Sequence, residues 1–159
     1  GADHINTSFY EYTKNFAFYV MHNQDYLVEN PKISIWNGID KQYARQQKVK
    51  TDGHANQIAI KLKKYALNVM GTKNAPSPFL QTEIYILGTG NYDNTINIMK
   101  SFIAVDKIIP LKDLSFGSGV VSWPEEALYM EQLSWTELVL VLGNNYIDRV
   151  KGKKFDYYK

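Results

Sequence analysis

The run Leu138-Val139-Leu140-Val141-Leu142 is apolar at every position, is preceded by Glu137 and stops at Gly143-Asn144-Asn145. Five residues is strand length, far short of the ~18 apolar residues of a membrane helix, so Glu137 to Leu142 is predicted as a buried strand. Working outward, Thr82-Glu83-Ile84-Tyr85-Ile86-Leu87 forms a second strand ended by Gly88-Thr89-Gly90. A third, Lys32-Ile33-Ser34-Ile35-Trp36, lies between the turn signals Asn30-Pro31 and Asn37-Gly38, with Ile33 and Ile35 on one face and Ser34 and Trp36 on the other. Ile58, Ile60 and Leu62 alternate with Ala59, Lys61 and Lys63, which predicts a half-buried strand. Tyr65 to Met70 then reads either as its bent continuation or as the return arm of a hairpin turning at Lys63-Lys64. Phe116 to Trp123 is a Gly-containing strand, Leu128 to Trp135 fits strand or helix, and Phe155 to Tyr158 begins another strand.

Helical spacing is confined to two places. Phe9, Tyr12, Phe16, Tyr19 and Val20 predict a helix over Tyr10 to His22, broken by Asn23-Gln24-Asp25. Ile96, Met99, Phe102 and Ile103 follow the capping residues Asn91 to Asn94 and mark the buried stripe of a second, in a region that Pro110 ends. Residues 39–53 are polar and basic and predict a surface loop or exposed hairpin, and Thr72 to Pro78 is a loop. Strands outnumber helices without regular alternation. The expected fold is therefore a single α+β domain over residues 1–159, with a mixed or antiparallel sheet, a few packed helices, and residues 1–5 as a disordered arm or cloning remnant.

Composition closes off several chemistries. The chain has 159 residues, no cysteine, a formal charge of +2, and 12 Tyr, 7 Phe and 3 Trp. Without cysteine there are no disulfides, no Cys-ligated zinc, no iron–sulfur cluster and no thiol catalysis; the compartment stays open, the cytoplasm slightly favoured over secretion. A charge of +2 is too small an excess for a nucleic-acid partner. The tyrosine load suits strands with one wet face and also suits interfaces.

The candidate motifs each have a bland reading that weighs more. His4, His22 and His54 lack metal spacing, so neither a metal nor a cofactor is expected. Gly88-Thr89-Gly90 stands where a phosphate-cradling turn would, but it lacks a third Gly and a Lys and fits a plain strand–turn–helix connection. Gly117-Ser118-Gly119 is no nucleophile elbow. Glu125 and Glu126 after Pro124, with Glu131 and Glu137 nearby, read as solvated carboxylates rather than a catalytic pair.

A binding surface has better candidates. Lys41, Tyr43, Arg45, Lys48 and Lys50 interleave charge with one ring, and Tyr and Arg often carry interface energy. Trp36, Trp123 and Trp135 flank strand ends and read first as core or rim anchors; Trp123, beside a Pro turn, is retained as a partner contact. Tyr43, Arg45, Lys48 and Trp123 are the expected contacts with an acidic protein surface.

From His54 onward the order of elements resembles the bacterial suppressor-of-fused (SUFU) domain family. The likeness rests on His54, Ile58-Ala59-Ile60-Lys61-Leu62, Tyr65 to Gly71, a Pro-containing loop, and Thr82 to Leu87. It continues through Ile96 to Val105, Pro110, Gly119-Val120-Val121 and Leu138 to Leu142. It departs where His54 is followed by Ala55-Asn56-Gln57 instead of a His-x-Asp step, and where Met70-Gly71-Thr72 replaces Gly-Met-Ser. The resemblance implies a cofactor-free protein-binding module of immunity or partner-sequestering type. The expected function is thus non-enzymatic protein binding. Its competitors are a small-ligand or phosphate-binding enzyme using Gly88–Gly90, in which Asp93 and His54 would share a cleft, and a structural component of a phage or envelope assembly.

Overall fold

A computed structural model describes Lys14, residues 25–113 and residues 125–150. Lys14 apart, the expected helix over 10–22 lies outside the described residues, as do the expected strands over 116–123 and 155–158, and Trp123. The elements are α1 (Asp25–Glu29), β1 (Ile33–Asn37), α2 (Lys41–Gln46), α3 (His54–Lys64), β2 (Val69–Asn74), β3 (Glu83–Ile86), α4 (Asp93–Phe102), β4 (Lys107–Pro110), a 3-10 turn (Leu111–Asp113), α5 (Glu125–Leu133), β5 (Leu138–Leu142) and α6 (Asn144–Val150).

The five strands form one mixed sheet in the order β2-β1-β5-β3-β4. β1 pairs parallel with both β2 and β5, and β3 runs parallel to β4 but antiparallel to β5. β5, the last of these strands in sequence, is therefore the centre of the sheet. All five of its residues are fully buried, which explains why it carries no polar alternation: both faces are covered. Leu138, Leu140 and Leu142 face a core shared with Ile33, Ile35, Ile84 and helices α1, α3, α4 and α6. Val139 and Val141 face the opposite core with Trp36, Phe79, Tyr85 and Leu128 of α5. The expected α+β class, the faces of β1 and the strands around Ile84 and Leu140 are as the patterns predict.

Six expectations are corrected. Among the described residues helices outnumber strands, and Thr72 to Asn74 of the expected loop belong to β2. The alternating stretch from Ile58 is helical, because Ala55, Ile58, Ala59 and Leu62 are the buried set, spaced by three and four, while Ile60 is 43% exposed. The same stretch opens the SUFU resemblance. The polar segment 39–53 contains α2, started by Asp40, whose carboxylate accepts the Gln42 N–H at 2.9 Å. Asp25 begins a helix instead of extending a break, and the segment before Pro110 is the edge strand β4. The ambiguous Leu128 to Trp135 stretch is helix to Leu133. Past Leu142, Gly143 lies so close to Gln81 that a Cβ would stand 2.2 Å from its carbonyl oxygen, so only Gly lets the chain turn there into α6.

Candidate interaction surface

Three helices end in the same way. α2, α3 and α5 each close with paired backbone bonds of the Schellman type: Val49 to Ala44 with Lys48 to Arg45, Leu67 to Leu62 with Ala66 to Lys63, and Thr136 to Glu131 with Trp135 to Gln132. The left-handed position of this motif ordinarily belongs to Gly. Here it holds Lys48 (φ 56°), Ala66 (φ 62°) and Trp135 (φ 65°). A bulky side chain in that region costs roughly 1–2 kcal/mol. Trp135 is also 77% exposed, so burial of its ring does not offset the strain.

The Trp135 turn continues an apolar face. Tyr129, Met130 and Leu133 of α5 are each about half exposed, on the side of the helix away from Leu128. α5 is held in place from below by Glu131, a buried carboxylate. Its Oε1 accepts Trp36 Nε1–H at 3.1 Å and Ser34 Oγ–H at 3.4 Å, and its Oε2 accepts Thr136 Oγ1–H at 2.8 Å. Lys73 Nζ forms an ion pair with Oε1 and lies over the Trp36 ring. Burial pushes the Glu131 carboxyl up, but the bonds from Lys73, Thr136 and Trp36 outweigh it and hold it below the usual range. Because the helix is fastened by this polar anchor, its outer side is free to be apolar.

Two open grooves flank the turn and share Thr136. One, about 270 Å³, lies between Met70, Lys73 and Ser134. The other, about 450 Å³, lies between Lys32, Thr89, Tyr92, Gln132 and Trp135. Tyr92 donates its hydroxyl to Glu137 Oε2 at 2.5 Å, and Glu137 Oε1 accepts the Lys32 N–H at 3.1 Å. Burial, then the Glu137 carboxylate, raises the Tyr92 hydroxyl above its ordinary pKa. The second groove reaches the Gly88-Thr89-Gly90 turn, but the glycines there make room for the chain's own ring: a Cβ on Gly88 would stand 2.2 Å from Tyr92 Oη. The N-terminus of α4, where a phosphate would sit, is filled by Glu29. Its Oε1 accepts the Thr95 N–H at 2.7 Å and its hydroxyl at 2.8 Å, and its Oε2 accepts the Asn94 N–H at 3.2 Å.

His54 is fully buried, with Nε2–H donated to the Lys50 carbonyl at 2.5 Å and its ring edge-on to Tyr146. Asp93 is exposed at the start of α4, and neither residue lines a groove described above. Among the described residues, no three His, Asp or Glu side chains are placed to hold a metal ion, and no helix is long and apolar enough to cross a membrane.

Of the expected partner contacts, Tyr43 and Arg45 lie on α2, two residues apart and so on different sides of the helix, and Lys48 lies on its closing turn. Arg45 and Lys48 are exposed. The Tyr43 hydroxyl is donated to Asp148 at 2.6 Å, and that bond raises its pKa. α2 follows the C-terminal end of β1, whereas Trp135 precedes the N-terminal end of the parallel β5, so the two patches occupy opposite ends of the sheet. The sequence does not mark the exposed Trp135 face, because a Trp near a strand is more often core, as Trp36 is here. Comparison with family models, with curated proteins and with solved structures found no match to this chain.

Proposed function

We propose that the chain is a non-enzymatic protein-binding module whose contact surface is the outer side of α5 and the turn after it. The observation that carries this reading is Trp135, a large ring held in a left-handed, Gly-type position and 77% exposed. What sets Trp135 apart from Lys48 and Ala66, which share its backbone conformation, is a large apolar ring left in solvent, and such strained positions cluster at binding sites. Trp and Tyr are the side chains that most often dominate interface energy, and Tyr129, Met130 and Leu133 extend the same apolar area. Immunity-type or partner-sequestering action, which the SUFU resemblance implies, is the finer form of the proposal. Exposed Arg45 and Lys48 at the far end of the sheet are a secondary contact for an acidic partner. The phosphate-binding alternative finds less support, since Glu29 already supplies the anion at α4.

A photo-crosslinking residue placed at Leu133 in the native host should trap one discrete protein adduct. The same residue at Lys107, on the opposite sheet edge, should trap none. Absence of an adduct from Leu133, or equal adducts from both, overturns the reading.

A further inference from the structure

The two edges of the sheet are guarded unequally. Exposed sheet edges are templates for pairing and are normally blunted by Lys, Pro or cover. At one edge β4 carries exposed Lys107 and ends in Pro110. At the other edge of the sheet that the described residues form, β2 contains no Pro; its one Lys, Lys73, is half exposed with its ammonium on Glu131 and over the Trp36 ring, and the pairing of β2 with β1 shifts register between Val69 and Gly71. Met70, Gly71 and Asn74 are exposed, and there is open space where a Gly71 Cβ would sit. Ala75 donates its N–H inward to Asn37 at 2.9 Å. Backbone groups alternate between the two sides of a strand, so Thr72 and Asn74 present theirs outward.

The flank of this edge is basic. From His54 to Thr82 the chain holds no Asp or Glu, and while Lys73 is paired with Glu131 and Lys61 lies over the Phe102 ring, Lys63 is exposed on α3. Thr72 Oγ1–H is donated to Asn56 Oδ1 at 2.5 Å, which turns the Asn56 side of α3 toward β2. Ile60 and Lys63, four and seven residues on, share that side and are exposed. A strand laid beside β2 meets an apolar contact and a positive charge from α3.

We infer that β2 accepts an acidic, extended segment of a partner protein as a sixth strand, paired through the outward groups of Thr72 and Asn74 and attracted by Lys63 of α3. This rests on the protein-binding reading and names its recognition element. A second copy is the poorer occupant: two-fold pairing of β2 with itself would bring Lys63 of both copies together.

The test is selection of binders from a random dodecapeptide display library on the intact chain, followed by synthesis of the most enriched peptide. The expected result is enrichment of Asp and Glu among β-formers, protection of the Thr72 and Asn74 amides from hydrogen exchange, and affinity that falls as salt rises. Thr72→Pro should weaken binding at least tenfold. Lys63→Glu, which leaves the strand backbone intact, should do so at least threefold even if the proline variant fails to fold. Enriched peptides without acidic bias, an unprotected β2, a library with no binders, or ultracentrifugation showing a β2-mediated dimer overturns the inference. Peptides that protect only α5 and the Trp135 turn sink the β2 site and leave the wider reading standing. Peptides that protect β2, together with no adduct at Leu133, do the reverse.

Discussion

Glu29 and Thr95, 66 residues apart in sequence, are joined by two hydrogen bonds through a single carboxylate oxygen, 2.7 Å to the amide and 2.8 Å to the hydroxyl of Thr95. The last residue of α1 thereby caps the first turn of α4, neutralising the exposed amides and their share of the helix dipole. Glu29→Ala should cost about 1–2 kcal/mol in urea denaturation, the range for a lost cap. The same variant should acquire a phosphate-dependent rise in Tm that the parent chain lacks. A parent chain stabilised equally by phosphate would show that the α4 terminus is open.

Glu131 and Lys73 should respond very differently to substitution. Glu131→Leu leaves the buried Trp36 Nε1–H and Thr136 hydroxyl without their acceptor and should cost about 2–4 kcal/mol. Lys73, whose side chain is 50% exposed, should cost less than about 1 kcal/mol as Lys73→Met. Equal losses would mean that the ion pair, and not the hydrogen bonds from Trp36 and Thr136, fastens α5.

Gly88 and Tyr92 are coupled by the space they share. Gly88→Ala places a Cβ 2.2 Å from Tyr92 Oη and should be destabilising by more than about 1 kcal/mol. In a Tyr92→Ala background the same change should be close to neutral, giving a clear interaction energy in a double-mutant cycle. Additive effects would remove the packing explanation for this glycine turn.

Asp106 binds Arg149 Nη2 at 2.9 Å, also accepts from Asn145 Nδ2, and takes the Thr82 N–H at 2.9 Å. The Arg149 guanidinium is the main reason its carboxyl is held at about 2, below the ordinary 3.8. Between these values the unfolded chain binds more protons than the folded one, so this group's contribution is complete above pH ~4 and is lost as pH falls toward 2. Arg149→Met should flatten the pH dependence of urea unfolding in that window. An unchanged slope would contradict the pairing.

The parts of the fold legible in the sequence are those where one physical pattern acts alone. β5 is apolar throughout because it is covered on both sides, and α4 shows caps followed by a single stripe. α3 was open to misreading because Ile58 and Leu62 satisfy both a two-residue and a helical period; only Ala55 and Ala59, also buried, separate them. α2 was hidden by its polarity, having one fully buried residue, Ala44. The site was less legible still. A left-handed Trp135 leaves no trace in composition or spacing, and the capping of α4 by Glu29 joins segments that only the folded chain brings together.

Trp135→Gly separates the two roles assigned to that position. Gly removes the left-handed strain, so the variant should be more stable than the parent by about 0.5–1 kcal/mol. It also removes the ring, so calorimetric titration with the partner trapped at Leu133 should show at least a hundredfold loss of affinity, while Ala66→Gly, at the matching position of α3, should gain stability with no loss. A Trp135→Gly chain that binds that partner as tightly as the parent would contradict the account.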